Sequence, residues 1–131
     1  MGIVYLVGSG PGDPELITLK ALRLIKNCDA LVHDALIPYD IVKEASPNCE
    51  VIYVGKRAGC SSFLQKDIND LLLKLSRQGK NVVRLKGGDP FVFSRGGEEV
   101  SFLERAGVPI EIVPGITSGI AAPSYIGIPL T

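Results

Sequence analysis

The sequence predicts a single α/β domain, in which a roughly five-stranded parallel sheet is flanked by helices on both faces. Short apolar runs, typical of buried strands, alternate with segments of helical period along the whole chain. The length of 131 residues suits one domain with a real core and is too short for two ordinary domains. Apolar residues make up 46% of the chain and charged residues 21%, which excludes a disordered protein.

The first half of the chain is predicted to contain three strands and two helices. Continuous apolar runs predict the strands at residues 3–7, 30–33 and 50–54. Asp13-Pro14-Glu15 is typical of a helix start: Asp13 is the N-cap, Pro14 takes the first helical position, and Glu15 is an acidic residue in the first turn. The buried face of this first helix is predicted to carry Leu16, Leu19, Leu22 and Ile25. A short second helix is predicted at about residues 39–45.

The second half is predicted to continue the alternation with three helices and two strands. The clearest helix covers residues 65–77, because apolar residues recur on one face and Gly79 follows as a C-terminal stop. Apolar runs predict strands at 81–85 and 110–113, with a helix at 98–105 between them. Residues 116–126 are rich in small side chains and are predicted to be helical, with Pro123 breaking or kinking the helix.

The overall composition excludes several classes of partner. The 14 basic and 14 acidic residues cancel, which argues against general affinity for nucleic acid. No apolar run approaches the roughly 20 residues needed to cross a membrane. One histidine and no Cys-x-x-Cys pattern give no support for a metal site. Three cysteines, an odd number, and a start without a targeting pattern predict a cytoplasmic protein without a disulfide framework.

Glycine-rich loops follow three of the predicted strands, at residues 8–13, 86–89 and 114–118. In a parallel sheet the carboxyl ends of the strands meet at one edge, where ligands bind. The first loop is neither a dinucleotide fingerprint, since Asp13 stands at the third glycine position, nor a P-loop. Each loop by itself is more often a structural turn. Together, the three loops predict a cleft for a ligand with many polar atoms.

Ionisable residues follow two further strands. Asp34 comes after the second strand and can act as a base, or simply cap a helix. Lys56 comes after the third strand and can donate a proton or bind a carboxylate, or be an ordinary surface charge. A basic rim is predicted at the same edge of the sheet, typical of a substrate with carboxylates or phosphates, from Lys56, Arg57, Arg84, Lys86 and Arg95.

Four motifs in this order resemble those of the tetrapyrrole methylases: GSGPGDPELIT at 8–18, VGKRAG at 54–59, RLKGGDPFVF at 84–93 and VPGIT at 113–117. The resemblance covers the whole chain and is nearest to the branch that methylates uroporphyrinogen III to precorrin-2. It implies C-methylation with S-adenosyl-L-methionine as methyl donor and S-adenosyl-L-homocysteine as product, in sirohaem and cobalamin biosynthesis. It further implies an anionic small-molecule substrate, uroporphyrinogen III, and a homodimer.

The family's functional residues fall on matching positions of this chain. The resemblance implies that Asp34 is the proton acceptor and Lys56 the proton donor. It implies contacts with the methyl donor from Pro11, Gly87, Gly88, Asp89, Val92, Thr117 and Ser118. Ser118 departs from the family pattern, which usually has alanine at this position.

The family fold has two α/β domains with the active cleft between them. Residues 1–131 are therefore expected to form the N-terminal domain, with the second domain absent from this chain and the chain inactive alone. One alternative is another member of the superfamily, acting on a later corrinoid, on the diphthamide precursor or on ribosomal RNA. Few aromatic residues and zero net charge disfavour RNA. The other alternative is a non-catalytic ligand-binding or assembly module.

Overall fold

A five-stranded parallel sheet forms the centre of the fold in the computed structural model, which describes residues 1–55 and 64–131. Its strands are β1 (Val4–Gly8), β2 (Ala30–His33), β3 (Glu50–Tyr53), β4 (Val82–Lys86) and β5 (Ile110–Val113). Their order across the sheet is β3-β2-β4-β1-β5, and every pair is parallel. The predicted fold class is therefore confirmed, and the carboxyl ends of all five strands lie at the same edge.

Among the described residues, five α-helices accompany the sheet: α1 (Leu19–Asn27), α2 (Tyr39–Val42), α3 (Gln65–Arg77), α4 (Gly96–Arg105) and α5 (Ser118–Tyr125). Buried residues of α1 and α2 pack with one set of strand side chains, which includes Leu31 and Leu85. Buried residues of α3 and α4 pack with the alternate set, which includes Val32 and Val82. Successive residues of a strand point to opposite faces, so both faces of the sheet are covered. Within the described ranges, no helix is long and apolar enough to cross a membrane.

The predicted start of the first helix is wrong. The Asp13 carboxylate accepts a hydrogen bond from the Glu15 backbone N–H at 2.9 Å, but this caps only a short 3₁₀ turn, Pro14–Leu16. The helix α1 begins after Thr18, whose hydroxyl accepts a hydrogen bond from the backbone N–H of Ala21 at 3.0 Å. The predicted buried face shifts accordingly: Leu19 is 88% exposed. The buried residues of α1 are Ala21, Leu24 and Ile25.

Other boundaries differ by only a few residues. Helix α2 ends at Val42 rather than at residue 45, and α4 begins at Gly96 rather than at residue 98. Pro123 lies inside α5 without ending it. A proline in the last turn of an eight-residue helix removes a single backbone donor, so the turn persists.

Two cysteines lie side by side against the α1 face of the sheet. The Sγ atoms of Cys28 and Cys49 are 3.7 Å apart, and both residues are free thiols. Burial and then the neighbouring Cys49 raise the pKa of Cys28 to about 12. Burial also raises the pKa of Cys49. The third cysteine, Cys60, lies outside the described residues.

The raised pKa makes Cys28 a slow nucleophile in the folded protein. At pH 8 we expect Cys28 to react with iodoacetamide about 1,000-fold more slowly than in the urea-unfolded chain, because the thiolate is the reactive species. Peptide mapping by mass spectrometry after timed quenching measures both rates. Equal rates in the two states would show that burial does not protect this thiol.

Candidate functional site

The loops that follow β1, β4 and β5 converge into one cleft at the carboxyl edge of the sheet. The backbones of Gly10 and Gly88 form an antiparallel bridge. The Gly10 N–H donates to the Gly88 carbonyl oxygen at an N···O distance of 3.2 Å, and the Gly88 N–H donates to the Gly10 carbonyl oxygen at 2.8 Å. The Asp89 carboxylate accepts a hydrogen bond from the Gly115 backbone N–H at 3.1 Å. These contacts tie the loop after β4 to the loops after β1 and β5, and β1 lies between β4 and β5 in the sheet. The cleft between them has a volume of about 440 Å³, within the range of small-molecule sites.

The sequence-predicted site residues gather at this cleft with two exceptions. Those that line it are Pro11, Asp34, Gly87, Gly88, Val92, Thr117 and Ser118. Asp89 does not line the cleft; its carboxylate accepts hydrogen bonds from the backbone N–H groups of Phe91 and Gly115. The predicted proton donor, Lys56, lies outside the described residues. The three glycine-rich loops therefore share one edge, as their places after parallel strands predict.

Close backbone approach explains why two of the loop positions are glycine. A Cβ atom on Gly8 would lie 2.8 Å from the Gly115 nitrogen, and one on Gly115 would lie 2.9 Å from the Gly8 carbonyl carbon. Both would also collide with the carbonyl oxygen of Gly88. Real Cβ atoms essentially never approach other atoms within 3.0 Å. Only glycine allows the β1, β4 and β5 loops to pack against one another in this way.

The cleft offers both apolar and polar contacts to a ligand. Leu36, Val92 and Phe93 supply apolar side chains on its wall. The Thr117 side chain makes no capping hydrogen bond to α5, so its hydroxyl is available to a ligand. The first backbone N–H groups of α5 lie beside it, and such groups favour anionic ligand atoms. This mixture fits a methyl donor with a planar aromatic base, hydroxyls and a carboxylate.

A chain of buried ionic contacts lies under the cleft wall. The Arg84 guanidinium contacts Asp34 (Nη2 to Oδ1, 3.0 Å) and Glu99 (Nε to Oε2, 3.2 Å). The Lys86 ammonium contacts the other Glu99 oxygen. Burial lowers the pKa of Lys86, although Glu99 opposes this effect. Asp34 itself is one-third exposed, so its carboxylate reaches both Arg84 and the cleft.

These contacts correct the predicted basic rim. Arg84 and Lys86 are buried and bound to acids, so neither presents a free charge at the edge of the sheet. Arg95 is exposed and pairs with Glu98 at 2.7 Å. Lys56 and Arg57 lie outside the described residues. The prediction of a rim of free charges is wrong for Arg84 and Lys86. Side chains of a strand point alternately to the two faces of the sheet, and these two lie on the face that α4 covers.

Sequence reasoning placed Lys86 at the edge of the sheet, where it does line the cleft, but missed Glu99, the acid with which Lys86 is paired. Glu99 is fully buried, and the α4 residues buried with it are Gly96 and Leu103. Their spacing of three and four residues marks one helical face, which places Glu99 on the apolar side of α4. Two basic residues inside a buried strand require a buried acid nearby, and that requirement was the available signal. In the described part of the chain, no group of three or more His, Cys, Asp or Glu residues could hold a metal ion.

Comparison with known proteins identifies relatives across almost the whole chain. A family model described as Tetrapyrrole (Corrin/Porphyrin) Methylases matches residues 3–131. A uroporphyrinogen-III C-methyltransferase from Methanocaldococcus jannaschii is 55% identical over 130 residues, which are 99% of this chain and 54% of that protein. The chain spans about half the length of the curated relatives it matches.

Solved structures show the same fold. A uroporphyrin-III-C-methyltransferase from Thermus thermophilus superposes with a TM-score of 0.88 at 46% identity, covering 99% of this chain and 55% of that one. A second structure from this organism, described as complexed with S-adenyl homocysteine, has a TM-score of 0.79 at 53% identity. It covers 92% of this chain and 48% of that one. The resemblance identified from the motifs is therefore confirmed.

Proposed function

The chain belongs to the tetrapyrrole (corrin/porphyrin) methylase family, and on this premise we propose that it is the donor-binding half of an S-adenosylmethionine-dependent uroporphyrinogen-III C-methyltransferase. The observation that carries the proposal is the convergence of three glycine-rich loops and Asp34 on one cleft. The identity of 55% to a uroporphyrinogen-III C-methyltransferase supports this substrate over those of more distant relatives.

The proposed roles follow from the positions of the residues. Backbone groups of the β1 and β4 loops, with the hydroxyls of Thr117 and Ser118, hold the methyl donor in the cleft. When bound, S-adenosylmethionine supplies an electrophilic methyl group. The chain aligns this group with the substrate carbon, since methyl transfer depends chiefly on in-line geometry. Asp89 contributes by fixing the loop backbone, in keeping with its two hydrogen bonds.

Asp34 is proposed to take the proton that must leave the substrate after the pyrrole carbon has attacked the methyl group, so that the conjugated system can rearrange. Its carboxylate is one-third exposed at the cleft and held from behind by Arg84. A carboxylate in this position needs no rearrangement to act as a general base. Lys56 is proposed as the proton donor on the strength of the motif that contains it. The substrate carboxylates are held by residues other than Arg84 and Lys86, which are already bound to acids.

We extend the proposal to the whole protein. A second domain of the parent protein forms the opposite wall of the cleft, in keeping with the half-length match to the relatives. Exposed apolar side chains on α5 and beyond support an extensive contact with that domain or with a second subunit, because patches of this kind mark interfaces. They are Ile120, Tyr125, Ile126, Ile128 and Leu130. The proposed protein is a cytoplasmic homodimer.

The full-length protein, incubated with S-adenosylmethionine and uroporphyrinogen III, is expected to form precorrin-2, which carries two added methyl groups. Absorption spectroscopy and mass spectrometry identify the product, and calorimetry with S-adenosylhomocysteine measures donor binding. Methylation of a later corrinoid, a protein or an RNA instead would identify another member of the superfamily. Donor binding without any methylation would favour a ligand-binding module.

A further inference from the structure

We propose that Arg84 and Glu99 are positioning residues that hold the Asp34 carboxylate in its orientation at the cleft. The proposal rests on the proposed function, in which Asp34 accepts a proton. Neither Arg84 nor Glu99 lines the cleft, so each would act through Asp34 rather than on the substrate.

The contacts form a chain from the cleft wall into the core. Arg84 Nη2 lies 3.0 Å from Asp34 Oδ1, and Arg84 Nε lies 3.2 Å from Glu99 Oε2. The side chain of Arg84 is 3% exposed, and that of Glu99 is fully buried. Arg84 therefore holds Asp34 through its Oδ1 atom, and Asp34 itself lines the cleft. This arrangement suits a base whose orientation must be constant.

Rigid elements hold both partners of Asp34 in place. In the sheet Arg84 pairs with Val32 of β2, two residues before Asp34, and with Leu6 of β1 on the other side. Glu99 lies on α4, which packs on the same face of the sheet. Because β4 lies between two strands, the Arg84 backbone cannot shift without moving the sheet. A side chain anchored in this way orients its partner more closely than a loop residue does.

Stability alone does not account for the arrangement. Burying ions costs desolvation energy that their attraction often fails to offset, so apolar side chains of similar size would serve the core as well or better. Arg84 Nη1 adds to this cost, since it is buried without a hydrogen-bond partner among the described residues. Arg84 makes two contacts that an apolar residue could not make, and of these only the one to Asp34 reaches a residue of the cleft.

Lys86 completes the neutralisation of the chain. Its ammonium contacts the Glu99 oxygen that faces away from Arg84, so Glu99 is balanced by two cations. The two acidic and two basic side chains joined by these contacts then have a net charge of zero. Glu99 and Asp34 contact different nitrogens of Arg84, Nε and Nη2, so Arg84 binds both acids at once.

A double-mutant cycle in the full-length protein tests the positioning role. We expect Arg84→Met to lower kcat by about 10- to 100-fold, the usual effect of losing a residue that orients a reacting group. The KM values for S-adenosylmethionine and uroporphyrinogen III are expected to change less than about twofold, since Arg84 does not line the cleft. In an Asp34→Asn background, Arg84→Met should have no further effect on kcat, because the residue through which it acts is already disabled. Arg105→Met, an exposed arginine on α4, is the matched control and should leave kcat unchanged.

The remaining outcomes each decide the question. Independent, multiplicative effects of Arg84→Met and Asp34→Asn overturn the positioning role while leaving the proposed function in place. A wild-type protein that does not methylate uroporphyrinogen III overturns the proposed function. An Asp34→Asn variant with normal kcat overturns the role of Asp34 as the general base. Either result also overturns the positioning role of Arg84 and Glu99. If circular dichroism shows that Arg84→Met does not fold, Glu99→Gln replaces it in the same cycle. This change keeps the size of the side chain, removes its charge, and carries the same expected result.

Discussion

Asp34→Asn in the full-length protein is expected to lower turnover by about 10²- to 10⁴-fold, the usual contribution of a general base. Asparagine has nearly the same shape and keeps an oxygen that can accept the hydrogen bond from Arg84, but it cannot take up a proton. The affinity for S-adenosylhomocysteine is expected to stay within about twofold, because the amide still fills the cleft wall. Single-turnover methylation and calorimetry measure the two quantities separately.

The control for this change is Asp40→Asn, which removes a carboxylate paired with Lys43 on the exposed side of α2. We expect it to leave turnover and affinity unchanged. If Asp34→Asn also left turnover unchanged, Asp34 would not be the proton acceptor. If it weakened donor binding as much as it slowed turnover, Asp34 would contact the donor instead.

Gly115→Ala is expected to disrupt the cleft as a whole. The added Cβ would collide with backbone atoms of Gly8 and Gly88, which cannot move aside as a flexible side chain could. Overpacking of this kind costs about 1–3 kcal/mol and forces the backbone to shift. Because the β1, β4 and β5 loops form the cleft together, we expect the dissociation constant for S-adenosylhomocysteine to rise at least tenfold. Calorimetry measures the affinity, and thermal unfolding measures the loss of stability.

Gly97→Ala is the matched control. A Cβ on Gly97 would meet no atom within 4 Å, and this residue lies exposed on α4. Alanine favours a helix more than glycine does, so we expect unchanged affinity and equal or slightly higher stability. If Gly115→Ala bound S-adenosylhomocysteine as tightly as the wild type, close packing of the loops would not be needed to form the site.

Local patterns were sufficient to predict most of the elements. Helix α3 lies at residues 65–77 as predicted, because its apolar period and its terminal glycine are contained in one short segment. Strand β5 also has its predicted bounds, since Pro114 and Gly115 follow its last residue and stop the strand. The start of α1 was harder to predict, because Asp13 and Thr18 are both good caps and only one begins the helix. The sequence contains both signals, and the packing against the sheet selects Thr18.

The candidate site was partly accessible from sequence. Glycine-rich loops after parallel strands predict a shared edge, and the resemblance assigned roles to individual residues within them. The structure adds that the Asp89 carboxylate holds the backbone of the β5 loop. The predicted contribution of Asp89 to donor binding stays a prediction, and so does the role of Lys56. It also adds Leu36 and Phe93 to the cleft. Phe93 belongs to the motif at 84–93 but had no role assigned to it, and nothing in the local sequence distinguishes Leu36 from an ordinary surface residue.

Periodicity and turn chemistry within short segments are sufficient to predict the α/β alternation, the parallel sheet and the place of the glycine-rich loops. The strand order and the partners of the buried charges depend instead on how distant segments pack. Glu99 lies 15 residues after Arg84 and 13 residues after Lys86, and Asp34 is more distant still. Whether such charges meet or face solvent depends on which helix covers which strand, and that contact has no local signature in the sequence.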